Sequence, residues 1–229
     1  MKLAHLVSIA LLASCQAVSQ SFQVMNASNG PIPPVTEDLT ISMGDHELYS
    51  LKALLSRVVD SSGIEAVVEM DDVRSRLFHS GVAFRGDFTI PAYEVWTVTE
   101  HALLQEGFFL APLYMGETKM IGIHLTDRSS SLGREVESFE VDVEDLDYLA
   151  AHPGFLFSLT LELPDTDVGQ VGTGKWNRRY HGVKLRCTAV DKNTVLLKGL
   201  GVAVEEVARE FLKSDELNRS RALEERRPL

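Results

Sequence analysis

Glycines spaced before a lysine are the strongest candidate for chemistry in this chain. Residues 169–175 read Gly-Gln-Val-Gly-Thr-Gly-Lys and match a phosphate-binding loop up to its final hydroxyl position, which Trp176 occupies. In such a loop the backbone amides hold phosphate oxygens, the lysine reaches the outer phosphates and the hydroxyl binds magnesium. Because the hydroxyl is missing and no later strand ends in an obvious magnesium-binding aspartate, we expect a flexible loop or an interrupted helix here.

Other residue types that perform catalysis are present but dispersed. The seven histidines lie at positions 5, 46, 79, 101, 124, 152 and 181, without the His-Glu-x-x-His spacing of zinc hydrolases. The acidic run over 140–147 lacks the glycine and ligand spacing of a calcium loop, so we interpret it as a solvated face. Neither a Gly-x-Ser-x-Gly elbow nor a Ser-x-x-Lys pair occurs. We therefore predict no catalytic, cofactor-binding or metal-binding residues, and no enzyme activity.

Charge excludes some classes of partner. The chain has 229 residues, of which 33 are acidic and 22 basic, giving a net charge of −11. An acidic protein does not attract nucleic acid or anionic lipid through its overall field. Lys175, Arg178 and Arg179 are a candidate for a local basic patch in this acidic chain. We interpret these three neighbouring cations as a solvated face. We expect no nucleic-acid partner.

The N-terminus indicates export. Lys2 precedes a short apolar run over 3–13 that is too short to span a bilayer, and small residues close it. The Leu-Ala-Ser-Cys sequence ending at Cys15 resembles the lipobox of bacterial lipoproteins. That resemblance implies a signal peptide over 1–14 and lipid attachment at Cys15, with Gln16 favouring the outer membrane. The alternative is an ordinary signal cleaved after Ala17 or Ser19. Both place the mature protein in the periplasm, and in the first case it contacts membrane through its lipid anchor only.

If Cys15 carries lipid or is removed, the chain has no internal disulfide, because Cys187 is the only other cysteine. Cys187 alternates with apolar residues in a strand-like pattern over 183–190. We interpret it as a buried small side chain rather than a reactive thiol.

The rest of the chain divides into a tether and two small α+β domains. Residues 15–38 are polar and contain Gly30, Pro31, Pro33 and Pro34, which is typical of an extended spacer. We assign 39–126 to a first domain, 127–135 to a polar linker, 136–217 to a second domain and 218–229 to a charged tail. Each domain is expected to be a short mixed sheet packed with about two helices.

Hydrophobic spacing predicts the elements of each domain. In the first domain we expect strands over 39–43, 64–70, 78–84, 108–113 and 119–125, with a charged turn over 71–76. One helix is capped by Asp45 and ends at Ser62-Gly63, and another runs from Pro91 to Gln105. In the second domain we expect strands over 137–143, 155–163, 183–190 and 195–200, a helical turn over 143–151 and a last helix carrying Val204 to Phe211. The segment 164–181 stays open.

These patterns resemble the periplasmic N-terminal domains of bacterial secretins. Residues 39–125 resemble the first such domain, related to the short N-terminal domain of TonB-dependent receptors, through Ser62-Gly63-Ile64, Thr89-Ile90-Pro91 and Glu106-Gly107-Phe108. The second domain resembles the ring-forming domain that follows, chiefly through the hairpin over 189–199. Few residues follow the last helix, so we expect secretin-like domains without the membrane-embedded β-barrel.

The resemblance implies a non-catalytic protein-interaction module of the cell envelope, linked to a type II secretion or pilus-like assembly. Its partners would be a secretin-like channel or a secretion-platform component, with self-association also possible. We expect docking through the edge strands of the 108–125 hairpin, or through the last helix and the 183–200 strands. A free-standing periplasmic ligand-binding or sensor lipoprotein is the alternative, followed by an envelope hydrolase with a dispersed site.

Overall fold

The computed structural model describes residues 30–43, 48–68, 70–126, 136–180 and 184–225. Its helices and small mixed sheets confirm the predicted α+β class. Several sequence predictions lie outside the described residues: the signal peptide over 1–14, Cys15, the tether up to residue 29, the cap at Asp45 and the linker over 127–135.

The first lobe, which we define as residues 39–125, contains seven strands and three helices among its described residues. Its strands are β1 (Leu39–Ile41), β2 (Tyr49–Ser50), β3 (Glu65–Val67), β4 (Gly81–Val82), β5 (Phe88–Ile90), β6 (Phe108–Met115) and β7 (Lys119–Leu125); its helices are α1 (Leu51–Ser62), α2 (Asp71–His79) and α3 (Ala92–Gln105).

Helix α1 begins later than its hydrophobic spacing suggested. The side chain of Ser50 accepts a hydrogen bond from the Ala53 amide and caps the first turn. Leu48, which would lie on the inner face of a helix that began at Asp45, precedes α1 and is 56% exposed. The helix ends as predicted at Gly63, whose φ of 67° is a left-handed conformation that glycine adopts without steric cost.

Helix α2 corrects the predicted charged turn over 71–76, and the strand expected over 78–84 shrinks to β4. Asp71 and Asp72 lie in the first turn of α2, where carboxylates favour the positive end of the helix dipole. Val73 and Leu77, four residues apart, are buried on one face of this helix. Two apolar side chains are therefore enough to hold this polar segment against the lobe.

The main sheet of the first lobe has the strand order β3-β7-β6. The predicted hairpin is present, because β6 and β7 are antiparallel, with Leu110 opposite Ile123. Strand β3 runs parallel to β7, with Ala66 opposite Ile121. Two further strand pairs, β1 with β5 and β2 with β4, complete the lobe.

The second lobe, which we define as residues 139–225, has one larger sheet with the order β10-β11-β9-β8. Its elements are β8 (Phe139–Val141), a 3-10 helix (Val143–Asp145), α4 (Leu146–Ala151), β9 (Leu156–Glu162), α5 (Val168–Val171), α6 (Thr173–Arg179), β10 (Leu185–Ala189), β11 (Thr194–Leu200) and α7 (Gly201–Glu225).

The second lobe confirms the predicted hairpin and extends the last helix. Strands β10 and β11 pair around the turn at 191–194, and the open segment 164–181 contains the short helices α5 and α6. Helix α7 continues to Glu225, through most of the range predicted as a charged tail. Its second half is held by Asp215, whose carboxylate accepts from the Asp165 amide at 2.9 Å, and by Arg219, which donates to the Asp165 carboxylate.

One hydrophobic core joins the two lobes, with Phe108 of β6, Phe155 before β9 and Phe211 of α7 among its buried members. Pro31–Leu229 form one compact unit. Within the range predicted as tether, Ile32 and Val35 are buried in that core. The domain boundaries proposed from the sequence stay predictions.

Candidate functional site

The glycine-rich segment 169–175 does not form a phosphate cradle. It is divided between α5 and α6, with Gly172 at a φ of 77° between these helices. Trp176, in place of the usual hydroxyl, is buried, and its ring lies 4.6 Å from the Lys175 ammonium. Lys175 therefore contacts an indole face, and the glycines allow two short helices to meet at an angle.

The candidate metal ligands do not converge. Among the described residues no group of three or more His, Cys, Asp or Glu side chains could hold a metal ion. His79 and His101 each contact a backbone carbonyl on their own helix, at Ser75 and Thr97. His124 is buried against the Phe109 ring. Positions 5, 46 and 181 lie outside the described residues.

The acidic run over 140–147 has structural roles. Asp142 and Asp145 form a reciprocal capping box at the 3-10 helix. Asp147 accepts a hydrogen bond from Arg209 of α7 at 2.7 Å. Most of these side chains face solvent. The sequence interpretation of a solvated face therefore agrees with their positions.

Cys187 lies on the outer edge of the second sheet, and that edge is closed. The Asn177 side chain donates to the Cys187 carbonyl at 2.8 Å and accepts from the Cys187 amide at 2.7 Å. One side-chain amide thus replaces a neighbouring strand at this point. The thiol is buried as predicted, and burial raises its pKa to about 12, so it is not a nucleophile at neutral pH.

The surfaces that the sequence suggested for docking in the second lobe are used by its own core. Val204, Val207 and Phe211 of α7 are buried, as are Leu185, Val195 and Leu197 on the facing strands. Packing within the lobe already covers the apolar faces of this helix and these strands, and binding of a partner through them stays a prediction.

The predicted docking edge of the 108–125 hairpin is also closed. Strand β7 lies in the middle of its sheet, between β3 and β6. On the outer side of β6, the Leu110 amide donates to the Gly154 carbonyl of the second lobe at 2.9 Å. The outer side of β6 therefore contacts the second lobe, which a pattern of alternating residues along one hairpin cannot reveal.

Strand β3 is an edge strand that lies beside a groove. Within the described residues it pairs only with β7. A groove of about 330 Å³ runs between α1 and α2 next to this strand. Its apolar lining comes from Leu55 and Leu77 on the helices, Ala66 and Val68 at β3, and Ile123 of β7.

The rim of this groove carries exposed charges. Lys52 of α1 lies over the Phe78 ring at 3.9 Å and has no carboxylate partner among the described residues. Among the described residues, the acidic partner of Arg74 of α2 is Asp71, at 3.8 Å, and both side chains are largely exposed. Asp60 lines the groove two helical turns beyond Lys52 on α1. The groove therefore exposes apolar and polar surface in similar amounts, with the cations Lys52 and Arg74 and the carboxylates Asp60 and Asp71 at or near its rim.

A second feature, a buried polar cluster, joins the two lobes. Glu100 of α3 is fully buried and accepts hydrogen bonds from His152 Nδ1 and from the Gly154 amide, each at 2.8 Å. Thr97 donates to the Ala151 carbonyl at 2.7 Å. Burial raises the pKa of Glu100, although the neighbouring His152 opposes that shift. We call this set of contacts the lobe joint.

Residues just before the first lobe also contact both lobes. The Trp96 indole of α3 donates to the Pro33 carbonyl at 2.8 Å, and the Ile32 amide donates to the Tyr148 hydroxyl of α4 at 2.9 Å. The Trp96 ring meets Phe155 edge to face at 5.4 Å. The available signal in the sequence was the pair of apolar residues Ile32 and Val35 within a proline-rich segment.

No protein-family model matches the chain, and no curated protein matches it. Within the described part of the chain, no helix has both the length and the apolar character needed to cross a membrane.

Three solved structures align over much of the chain at low identity. A crystal structure of the GspC-GspD complex from the type II secretion system of enterotoxigenic Escherichia coli is 11% identical, covers 79% of this chain and 99% of its own, and gives a TM-score of 0.30. A refinement of InvGN0N1, SpaPQR and PrgHK from the Salmonella SPI-1 injectisome is 11% identical, covers 81% and 99%, and gives 0.27. A structure of XcpQN012 is 12% identical, covers 76% and 64%, and gives 0.28. With TM-scores at or below 0.30, none of these likenesses identifies a function for this chain.

Proposed function

We propose that this chain is a non-catalytic protein-interaction module of the cell envelope, linked to a type II secretion or pilus-like assembly. The observation that carries the interaction role is the state of the sheet edges. The outer edges of β6 and β10 are bonded to the chain's own groups, whereas β3 and β8 have no strand on their outer sides among the described residues, and β3 also borders the groove. An open edge beside a groove is a common mode of peptide and protein recognition.

The arrangement of polar residues supports a non-catalytic role. The buried acid Glu100 directs both carboxylate oxygens at donors within the protein, and His152 is its partner. Cys187 is buried with a raised pKa. Each of these groups is bound within the fold and has a structural role that accounts for it.

The link to secretion rests on the sequence resemblance to secretin periplasmic domains described above. On that basis the partners are a secretin-like channel or a secretion-platform component, and a second copy of this chain is a further candidate. We also propose export to the periplasm and lipid attachment at Cys15, which would hold the module at a membrane.

Crosslinking in the native cell envelope tests this proposal. Tagged wild-type protein is crosslinked, purified and analysed by mass spectrometry beside a Cys15→Ser variant. We expect recovery of secretion-machine proteins with the wild type, and reduced recovery when the anchor is absent. Recovery of monomer alone from the wild-type envelope would contradict the interaction role and favour the free-standing ligand-binding alternative.

The anchor is tested separately by the mass of the mature N-terminus. A diacylated Cys15 is expected, and the Cys15→Ser variant should partition into the soluble envelope fraction. A wild-type chain that begins after Ala17 or Ser19 and carries no lipid would refute the anchor while leaving the interaction role intact.

A further inference from the structure

The groove beside β3 has a shape and charge pattern that select one kind of occupant. Two helices form its walls, and the strand that borders it is a sheet edge. An extended segment that pairs with β3 gains main-chain hydrogen bonds, and alternate side chains of such a segment face the groove.

The lining favours a bulky apolar side chain. Leu55 and Leu77 are buried within the walls, and Ala66, a small residue on β3, leaves room between them. A volume of about 330 Å³ is large enough for a leucine- or phenylalanine-sized group together with part of the backbone that carries it. Phe78, which is 52% exposed at the rim, adds apolar surface that a bound segment would cover.

The rim charges add a requirement for a carboxylate. Lys52 and Arg74 lie on opposite walls, and neither has a well-shielded acidic partner among the described residues. Asp60 and Asp71 balance the net charge at this rim, and Lys52 is the cation that has no carboxylate partner among the described residues. An acidic group on the occupant would complement both Lys52 and Arg74.

Asp60 makes the two ends of the groove differ in charge. Lys52 and Asp60 are eight positions apart on α1, which corresponds to roughly 12 Å along a helix. An extended chain covers about the same distance in roughly four residues. The carboxylate of the occupant therefore lies near Lys52, and the position about four residues away, near Asp60, is neutral or basic.

We propose that this groove binds an extended segment of a partner protein, which pairs with β3, inserts one bulky apolar side chain between α1 and α2, and places a carboxylate against Lys52 and Arg74. This inference rests on the proposed interaction function and specifies the partner's chemistry at one surface.

Binding of peptides that carry either an acidic or a basic residue at one position tests the inference directly. The probes are three seven-residue peptides: one with a central leucine and an aspartate two residues before it, one with lysine in place of the aspartate, and one with alanine in place of the leucine. Binding to ¹⁵N-labelled protein is followed by NMR. We expect the aspartate peptide to shift the amide signals of Ala66, Val67 and Val68, and the alanine peptide to bind about tenfold more weakly.

Charge reversal in the protein provides the decisive comparison. The variant Lys52→Glu/Arg74→Glu should bind the aspartate peptide about tenfold more weakly and should prefer the lysine peptide. The control variant Lys213→Glu/Arg221→Glu changes two exposed cations of α7 by the same total charge and should bind like the wild type. Equal effects of the two variants, or no change of preference, would overturn the inference.

An experiment in cells separates this inference from the proposed function. Ser56→Trp fills the groove from the exposed face of α1, and Ala53→Trp adds the same side chain at an exposed position of α1 that does not line it. We expect envelope crosslinks to be lost with Ser56→Trp and kept with Ala53→Trp. Crosslinks that survive Ser56→Trp would overturn the groove proposal while the interaction function stands. Absence of crosslinks from the wild type would refute the function itself.

Discussion

Replacing Glu100 by alanine tests whether the lobe joint stabilises the protein. The change removes the acceptor of the Gly154 amide, a buried donor, and leaving such a donor unpaired costs about 1–3 kcal/mol. It also removes a buried methylene worth about 0.8 kcal/mol. Release of a buried acid offsets part of this cost. We therefore expect the free energy of unfolding to fall by roughly 1–3 kcal/mol.

Urea denaturation of the purified protein measures this change, with Glu100→Gln and Gln105→Ala as comparisons. The glutamine amide can still accept from Gly154 and donate to the His152 ring, so we expect it to retain most of the stability. Gln105 is exposed on the same helix, and its truncation should change stability by less than about 0.5 kcal/mol.

The stability of the wild type relative to Glu100→Gln should change with pH in one direction. Burial raises the pKa of Glu100 in the folded protein. The folded state therefore keeps the proton to higher pH than the unfolded chain, where glutamate titrates near about 4.3. The stability that this acid contributes is complete below that value and is lost as the pH rises through the raised pKa. Relative to Glu100→Gln, wild-type stability should decline over this window.

Two results would refute this account of the joint. One is an alanine variant that loses less than about 1 kcal/mol, which would mean that the Gly154 amide finds another acceptor at little cost. The other is a wild-type stability that rises relative to Glu100→Gln above about pH 4.3, which would mean that the folded protein favours the carboxylate.

Three further predictions concern the second lobe. Asn177→Ala removes both hydrogen bonds to the Cys187 backbone, so we expect a loss of about 1–3 kcal/mol by urea denaturation and more aggregation by light scattering, and unchanged values would contradict the edge-closing role. The Cys187 thiol, with a pKa raised to about 12, should resist iodoacetamide in the folded protein and react once unfolded; fast labelling of the native protein would disprove its burial. Gly201→Ala would place a methyl group 2.2 Å from the His152 carbonyl oxygen. A thermal melt should therefore show a loss of about 1–3 kcal/mol or more. Unchanged stability would show that the backbone at His152 can move away from this methyl group.

Local patterns in the sequence predicted much of the first lobe. The hairpin of β6 and β7 and the helix α3 follow from alternation, helical spacing and the proline at position 91, all of which act between near neighbours. Helix α2 was missed because its charged residues favoured a turn. The buried pair Val73 and Leu77, with two aspartates in the first turn, was the available signal.

The identity of the open sheet edge could not be predicted from the sequence. Alternation shows which face of a strand is buried but does not show which strand lies beside it. The parallel pairing of β3 with β7 moves β7 to the middle of the sheet, and β6 is covered by a loop from the second lobe. Both facts depend on contacts between residues far apart along the chain.

The lobe joint was equally hidden from sequence reasoning. A glutamate in a helix is normally exposed, so Glu100 gave no sign of its burial. It is buried because His152 and the Gly154 amide, from a different lobe, supply donors for both oxygens. His152 was noted only as one of seven dispersed histidines, because nothing near it in the sequence indicates its partner Glu100.

The parallel pairing of β3 with β7 also orders events during folding. Strands β6 and β7 are joined by a short turn and can pair early, whereas β3 must meet a strand that comes after two helices and three further strands. Closing such a long loop costs more chain entropy and is slower than closing a hairpin. A partly synthesised chain therefore lacks the native pairing of β3 until residues 119–125 have followed. The groove between α1 and α2 is consequently a feature of the finished fold, and incomplete chains do not present it to a partner.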